Sequence, residues 1–179
     1  MGLETISREV RPDEAAWLAG ILDGEGCFHM SLYKRNNYPS GKAFQVIIKV
    51  SNIDALIIHK ISEIYKKINV GFHYNLWKRK NPKHHDALSI TVGGMKSCRR
   101  VVNEVLPYLS GKKKQAEIML EYINWRLDKK NFIHKKLLQG EYLPERPEVI
   151  GFVRKLGKAK KDLIDPSTTK RRAGEILKI

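Results

Sequence analysis

The sequence predicts an α+β fold in the order αββαββα, with a four-stranded antiparallel, saddle-like sheet and C-terminal helices. Three observations predict it. Apolar residues recur at helical spacing in several stretches; between these lie two pairs of segments in which apolar and polar residues alternate; and short, turn-rich sequence joins the members of each pair. Four strands with one apolar face need helices on that face and leave the other open.

Residues 13–23 read as the first helix. Pro12 and Asp13 supply start signals, Trp17, Leu18, Ile21 and Leu22 repeat at helical spacing, and Gly24 ends it. Ala16, Ala19 and Gly20 lie among them, small enough to let another helix approach closely. From Phe28 the period changes to two. Phe28, Met30 and Leu32 alternate with His29, Ser31, Tyr33 and Arg35, and after "RNNYPSGK" Phe44, Val46, Ile48 and Val50 alternate with Gln45, Ile47 and Lys49.

The next stretch, "NIDALIIHKISEIYKKI", reads as a helix capped by Ser51 or Asn52, with Leu56, Ile57, Ile61, Ile64 and Ile68 as its apolar stripe. A second hairpin follows, in which Leu88, Ile90 and Val92 face one way while Ser89 and Thr91 face the other. The alternation of its first strand does not decide whether His73, Asn75, Trp77 and Arg79 or Phe72, Tyr74 and Lys78 point outward. Residues 96–108 form a helix, and "KKKQAEIMLEYINWRL" begins another with Ile118, Leu120 and Ile123 on its buried side. The tail suggests two short helices around "PEVIGFVRKLGKAKKDLI" and "TTKRRAGEILKI". A chain of 179 residues suits a single domain, 1–179, with a core over about 13–127 and a basic helical tail over about 128–179.

The formal net charge is +15. It is unevenly spread: residues 1–26 carry six acidic and two basic side chains, and everything after them is strongly basic. A polyanion is the expected partner, because each phosphate neutralised by Lys or Arg releases condensed counterions. No apolar run approaches the roughly 20 residues needed to span a bilayer, and no membrane partner is expected. Two cysteines, Cys27 and Cys98, frame neither a disulfide scaffold nor a CxxC zinc site. With an N-terminus unlike a secretion signal, they point to an intracellular location, the cytoplasm of a prokaryote or an organelle. His84 and His85 read as a solvated pair in a turn.

The open sheet face has about the width that a major groove admits. Its expected DNA contacts are His29, Ser31, Tyr33, Arg35, Gln45, Lys49, Ser89 and Thr91, together with Lys78, Arg79 and Lys80 at the end of the first strand of the second hairpin. Lys170, Arg171 and Arg172 read as phosphate clamps that set position without reading bases. Each has solvated surface as its competing reading.

One stretch remains odd on these terms. "WLAGILDGEGCF" runs a helix into a glycine-acid-glycine turn and straight into a strand, leaving Asp23 and Glu25 separated only by Gly24. Its core, "LAGILDGEG", resembles the nine-residue signature of LAGLIDADG homing endonucleases. "AFQVIIKVSN" resembles the second strand of that family, and "LPYLSGKKKQAEIML" resembles the segment that carries its active-site lysine. The likeness covers roughly residues 13–127.

The resemblance implies a site-specific double-strand DNA endonuclease with a long, near-palindromic target, cutting across the minor groove to leave 3′ overhangs. As a single-motif member the chain would act as a homodimer, pairing through the signature helix at Ala16, Trp17, Ala19, Gly20 and Asp23. Glu25 matches the metal-binding acid, usually Asp in the family, with the Gly24 carbonyl as a second ligand. Mg²⁺ is the implied cation, with Mn²⁺ able to substitute and Ca²⁺ binding without supporting cleavage. Asp23 matches a structural acid that caps the partner helix.

Asn52 matches a polar residue that orders water, and it is equally a helix cap. Lys112 matches the peripheral active-site lysine, with a plain phosphate contact as the alternative. Leu56 stands where some relatives have a basic residue, a departure from the family pattern. The carboxylates make chemical sense because divalent cations held by them can supply the nucleophile, stabilise the crowded phosphorus centre and assist the leaving oxygen. Two other readings keep the same scaffold: an RNA maturase assisting intron splicing, with RNA as its partner, and a non-catalytic DNA-binding regulator.

Overall fold

A computed structural model of the chain describes residues 9–34, 42–78, 85–128 and 147–164. The elements run α1 (Pro12–Gly24), β1 (Gly26–Lys34), β2 (Lys42–Asn52), α2 (Ala55–Lys67), β3 (Phe72–Trp77), β4 (Ala87–Gly93), α3 (Met95–Val105), a 3-10 turn (Leu106–Tyr108), α4 (Lys113–Leu127) and α5 (Pro147–Ile164). The strands form one sheet in the order β1-β2-β4-β3, and β4 runs antiparallel to both neighbours. The expected αββαββα order and four-stranded sheet are therefore present. The second tail helix, around residues 168–179, lies outside the described residues. Among the described residues no helix is long and apolar enough to cross a membrane.

Contacts divide the chain into two compact units, Met1–His29 with Gln45–Ser110 and Met30–Phe44 with Gly111–Ile179. In the first, α1 buries Ala15, Leu18, Ala19 and Leu22 and touches α2, α3 and the 3-10 turn. Ile48 and Val50 of β2 and Ile90 and Val92 of β4 are fully buried, as alternation requires for the face under the helices. Each such side chain contributes about 1.5–3 kcal/mol on burial. Gly94 leads into α3 with φ +87, a left-handed conformation that suits glycine, and its N–H donates to the Val46 carbonyl at 3.1 Å.

Helix α2 starts later than the sequence suggests. Its cap is Asp54, whose carboxylate accepts from the Leu56 N–H at 2.8 Å, while the Asn52 side-chain oxygen accepts from the Asp54 N–H at 2.8 Å. Two successive side-chain turns thus carry the chain from strand to helix. Ile61, Ile64 and Ile68 are buried as expected and Ile58 and Tyr65 join them, while Leu56, in the first turn, is 78% exposed.

The second unit is organised by an aromatic cluster. Tyr122 of α4 stands 4.7 Å from Phe44 and 5.4 Å from Phe152 of α5, centroid to centroid; Trp125 closes the group at 6.1 Å from Tyr122 and 5.8 Å from Phe152. These are favourable tilted and edge-on separations. Ile118 and Ile123 are buried as expected, but Met119 and Tyr122 fill the stripe and Leu120 is only half-buried. Lys155 and Glu121 form an ion pair between α5 and α4 at 2.5 Å.

Candidate active site and nucleic-acid interface

The helix-to-strand junction is fixed by a glycine. A Cβ on Gly26 would lie 2.6 Å from the Leu22 carbonyl oxygen and 2.7 Å from its Cα, so only glycine lets β1 leave α1 this closely. Glu25 is the helix C-cap, and its N–H donates to the Ile21 carbonyl at 2.8 Å. Its side chain projects into solvent, and among the described residues nothing engages the carboxylate.

This is an unfavourable place for an unneutralised acid. The C-terminal end of a helix carries partial negative charge, and the last turn of α1 holds no basic residue. A bound cation would relieve the repulsion. The donors on offer, a carboxylate and backbone carbonyls at Gly24–Glu25, are hard oxygens suited to magnesium or calcium. Among the described residues no group of three or more His, Cys, Asp or Glu side chains could hold a metal ion within one chain. Water, phosphate oxygens or a second chain must complete any coordination sphere here.

Asp23 does something else. Its Oδ2 accepts a hydrogen bond from the Ser110 backbone N–H at 2.8 Å, so this carboxylate holds a loop of its own chain. The small residues of α1 also divide. Ala19 is 0% exposed, so its place among the expected dimer contacts is corrected: it faces the core of its own chain. Ala16, Gly20 and Gly24 are exposed at spacings of four, and a Cβ on Gly20 or Gly24 would meet nothing within 4 Å. Trp17 is half-buried, with the Lys60 ammonium 4.2 Å above its ring.

Asn52 ends β2 with its side-chain oxygen committed to the Asp54 N–H, which leaves the amide NH₂ as a donor. It is not the helix cap. Lys112 precedes α4 as its N-cap, and its carbonyl accepts from the N–H groups of Gln115 and Ala116 at 3.0 and 3.1 Å.

The open sheet face is settled by register. Lys49 pairs with Thr91 and Thr91 with His73; Ser51 pairs with Ser89 and Ser89 with Asn75. Cross-strand partners share a face, so His73, Asn75 and Trp77 are the outward residues of β3. His29, Ser31, Gln45 and Lys49 are partly exposed, and Tyr33 and Lys78 are exposed.

Ser89 and Thr91 are corrections. They lie on the predicted face, yet Ser89 is 0% and Thr91 7% exposed. Both sit on a central strand beneath longer neighbours. The Ser89 hydroxyl donates to the Asn75 carbonyl and accepts from the Trp77 indole N–H, each at 3.2 Å. Arg35, Arg79, Lys80, Lys170, Arg171 and Arg172 lie outside the described residues.

No protein-family model matches the chain. Among curated proteins, the DNA endonuclease I-CvuI of Chlorella vulgaris is 30% identical over 111 residues, 60% of this chain and 62% of that protein. The match therefore spans less than two thirds of the relative's length. Among solved structures, I-CvuI in complex with its target in the presence of calcium superposes with a TM-score of 0.58 at 23% identity, over 83% of this chain and 82% of that one. The LAGLIDADG homing endonuclease I-LtrWI bound to target DNA gives 0.52 at 23% identity, over 90% of this chain and 45% of that one.

The chain has the fold of these LAGLIDADG homing endonucleases. Within this LAGLIDADG scaffold, the sequence left His73, Asn75 and Trp77 undecided as members of the open face, and Ser51 was missed. Every residue of β3 after Phe72 is exposed, because an edge strand has a neighbour on one side only. Its own pattern therefore carries no parity, and the usable signal was the clean alternation of β4.

Proposed function

We propose that the chain is a site-specific double-strand DNA endonuclease that acts as a homodimer with Mg²⁺. The observation that carries this reading is the uncommitted Glu25 carboxylate at the end of a helix without a neutralising base, on a scaffold whose solved relatives are bound to DNA targets. One carboxylate per chain is meagre for a cation that takes about six oxygen ligands. Two chains meeting along Ala16, Gly20 and Gly24 bring two Glu25 side chains to one symmetry axis, and the open space over both glycines supports that close approach.

In this mechanism Glu25 and the Gly24 carbonyl would hold the cation, which would supply charge stabilisation at the scissile phosphate. Lys112 offsets negative charge developing on the phosphate. The free NH₂ of Asn52 donates to a water or phosphate oxygen, its other half being fixed by the turn to Asp54. The strand faces bearing His29, Ser31, Tyr33, Gln45 and Lys49 read base edges in the major groove. A two-fold dimer reads two similar half-sites, so the target is near-palindromic, and cutting across the minor groove leaves 3′ overhangs. Mn²⁺ would replace Mg²⁺, and Ca²⁺ would bind without supporting the reaction.

The test is cleavage of a randomised duplex library with Mg²⁺, followed by sequencing of the cut ends. A long two-fold-symmetric consensus with 3′ overhangs is expected. An uncut library, with tight binding to structured intron RNA, contradicts it in favour of the maturase reading; selective binding of one duplex without cutting contradicts it in favour of a regulator.

A further inference from the structure

Trp77 stands on the open face of the sheet. Its indole N–H donates to Ser89 Oγ at 3.2 Å, and the Ser89 hydroxyl in turn donates to the Asn75 carbonyl at 3.2 Å. The ring therefore reaches from the edge strand β3 over β4, which is why Ser89 has no exposed surface. On the far side of β4, the Lys49 ammonium from β2 sits 4.5 Å from the centre of that ring. Trp77 remains 49% exposed, so the ring and the ammonium both stand at the surface that a duplex would meet.

An isolated lysine on an open sheet samples many rotamers and loses that freedom on binding. A lysine held against the face of a tryptophan has already lost part of it, and preorganisation of this kind sharpens discrimination between partners. The anchoring matters as much as the contact: the hydrogen bond to Ser89 fixes the ring, and the ring fixes the ammonium.

We propose that Trp77 is a positioning residue for specificity, seating Lys49 so that its ammonium addresses one base pair of each half-site. This rests on the reading of the sheet as a DNA-binding face. Lysine recognises acceptors on a base edge, O6 and N7 of guanine above all, and a fixed head group selects one such position.

The experiment is selection of bound duplexes from a pool with randomised half-sites. It uses the wild type, Lys49→Ala, Trp77→Ala, Trp77→Phe and the Lys49→Ala/Trp77→Ala double variant. Lys49→Ala is expected to erase a preference of about tenfold at one base pair per half-site. Trp77→Ala weakens the same preference about two- to fivefold, leaving other positions unchanged, while Trp77→Phe, which keeps a ring face but loses the hydrogen bond that anchors it to Ser89, gives an intermediate loss. The double variant is no worse than Lys49→Ala there.

An effect of Trp77→Ala at a different base pair, an equal loss at every position, or losses that add with Lys49→Ala would each overturn the inference while leaving the DNA reading intact. A wild-type pool with no enriched sequence would remove the DNA reading and this inference together. Should Trp77→Ala fail to fold, Trp77→Leu keeps an apolar cover over Ser89 without an aromatic face and is expected to show the same loss.

Discussion

Asp23 Oδ2 accepts a hydrogen bond from the backbone N–H of Ser110 at 2.8 Å, joining the end of α1 to a loop 87 residues away in sequence. A charged acceptor on a backbone donor contributes about 1.5–3 kcal/mol. Asp23→Ala is therefore expected to lower unfolding stability by about that amount, and Asp23→Asn, which keeps an acceptor, by less. Urea unfolding of the two variants checks the order.

The glycines of the signature make opposite predictions. Gly26→Ala drives a methyl into the Leu22 backbone and is expected to cost about 1–3 kcal/mol. Gly20→Leu meets open space within the chain, so the fold keeps or gains stability through helix propensity while the proposed dimer weakens. Thermal midpoints read the first effect and sedimentation equilibrium the second.

Tyr65 is fully buried, and its hydroxyl has no hydrogen-bond partner among the described residues. Burial pushes the phenol well above its ordinary pKa. Tyr65→Phe removes an unsatisfied polar atom and keeps the ring 6.0 Å from Phe72. It is expected to be neutral or to stabilise by about 1 kcal/mol, measured by chemical denaturation.

Glu14 accepts a 2.6 Å hydrogen bond from Lys67, and this contact, ahead of the weaker one from Arg11, holds its pKa below the usual carboxylate value. A depressed folded pKa gives stability that is complete above the unfolded value, near 4.3, and lost as pH falls through the folded one. Glu14→Gln is thus expected to be less stable than the wild type at pH 7, by about 1 kcal/mol, with the gap closing below about pH 4. Stability curves of both proteins across pH 2–7 check it.

The element order was legible because hydrophobic periodicity switches cleanly between 3.6 and 2, and the junction was legible because "DGEG" is strange in any purely structural role. The rest required three dimensions. Ser89 and Thr91 have the right parity, but parity says nothing of the Trp77 and Lys49 side chains that cover a central strand. Ala19, Ala16 and Gly20 are all small, yet only the register of α1 against its own core separates the first from the other two. Leu56 left the expected stripe because Asn52 and Asp54 each spend a side chain on turning the backbone, which delays the helix.

The central claim is that Glu25 does chemistry rather than holding the fold. It is tested most directly by measuring, on one selected duplex with Mg²⁺, both affinity and cleavage for the wild type and Glu25→Gln. The account predicts affinities within about twofold and a cleavage rate reduced by about a thousandfold or more, the scale on which loss of a metal-holding group acts through several kcal/mol. Cutting by Glu25→Gln at the wild-type rate would contradict it.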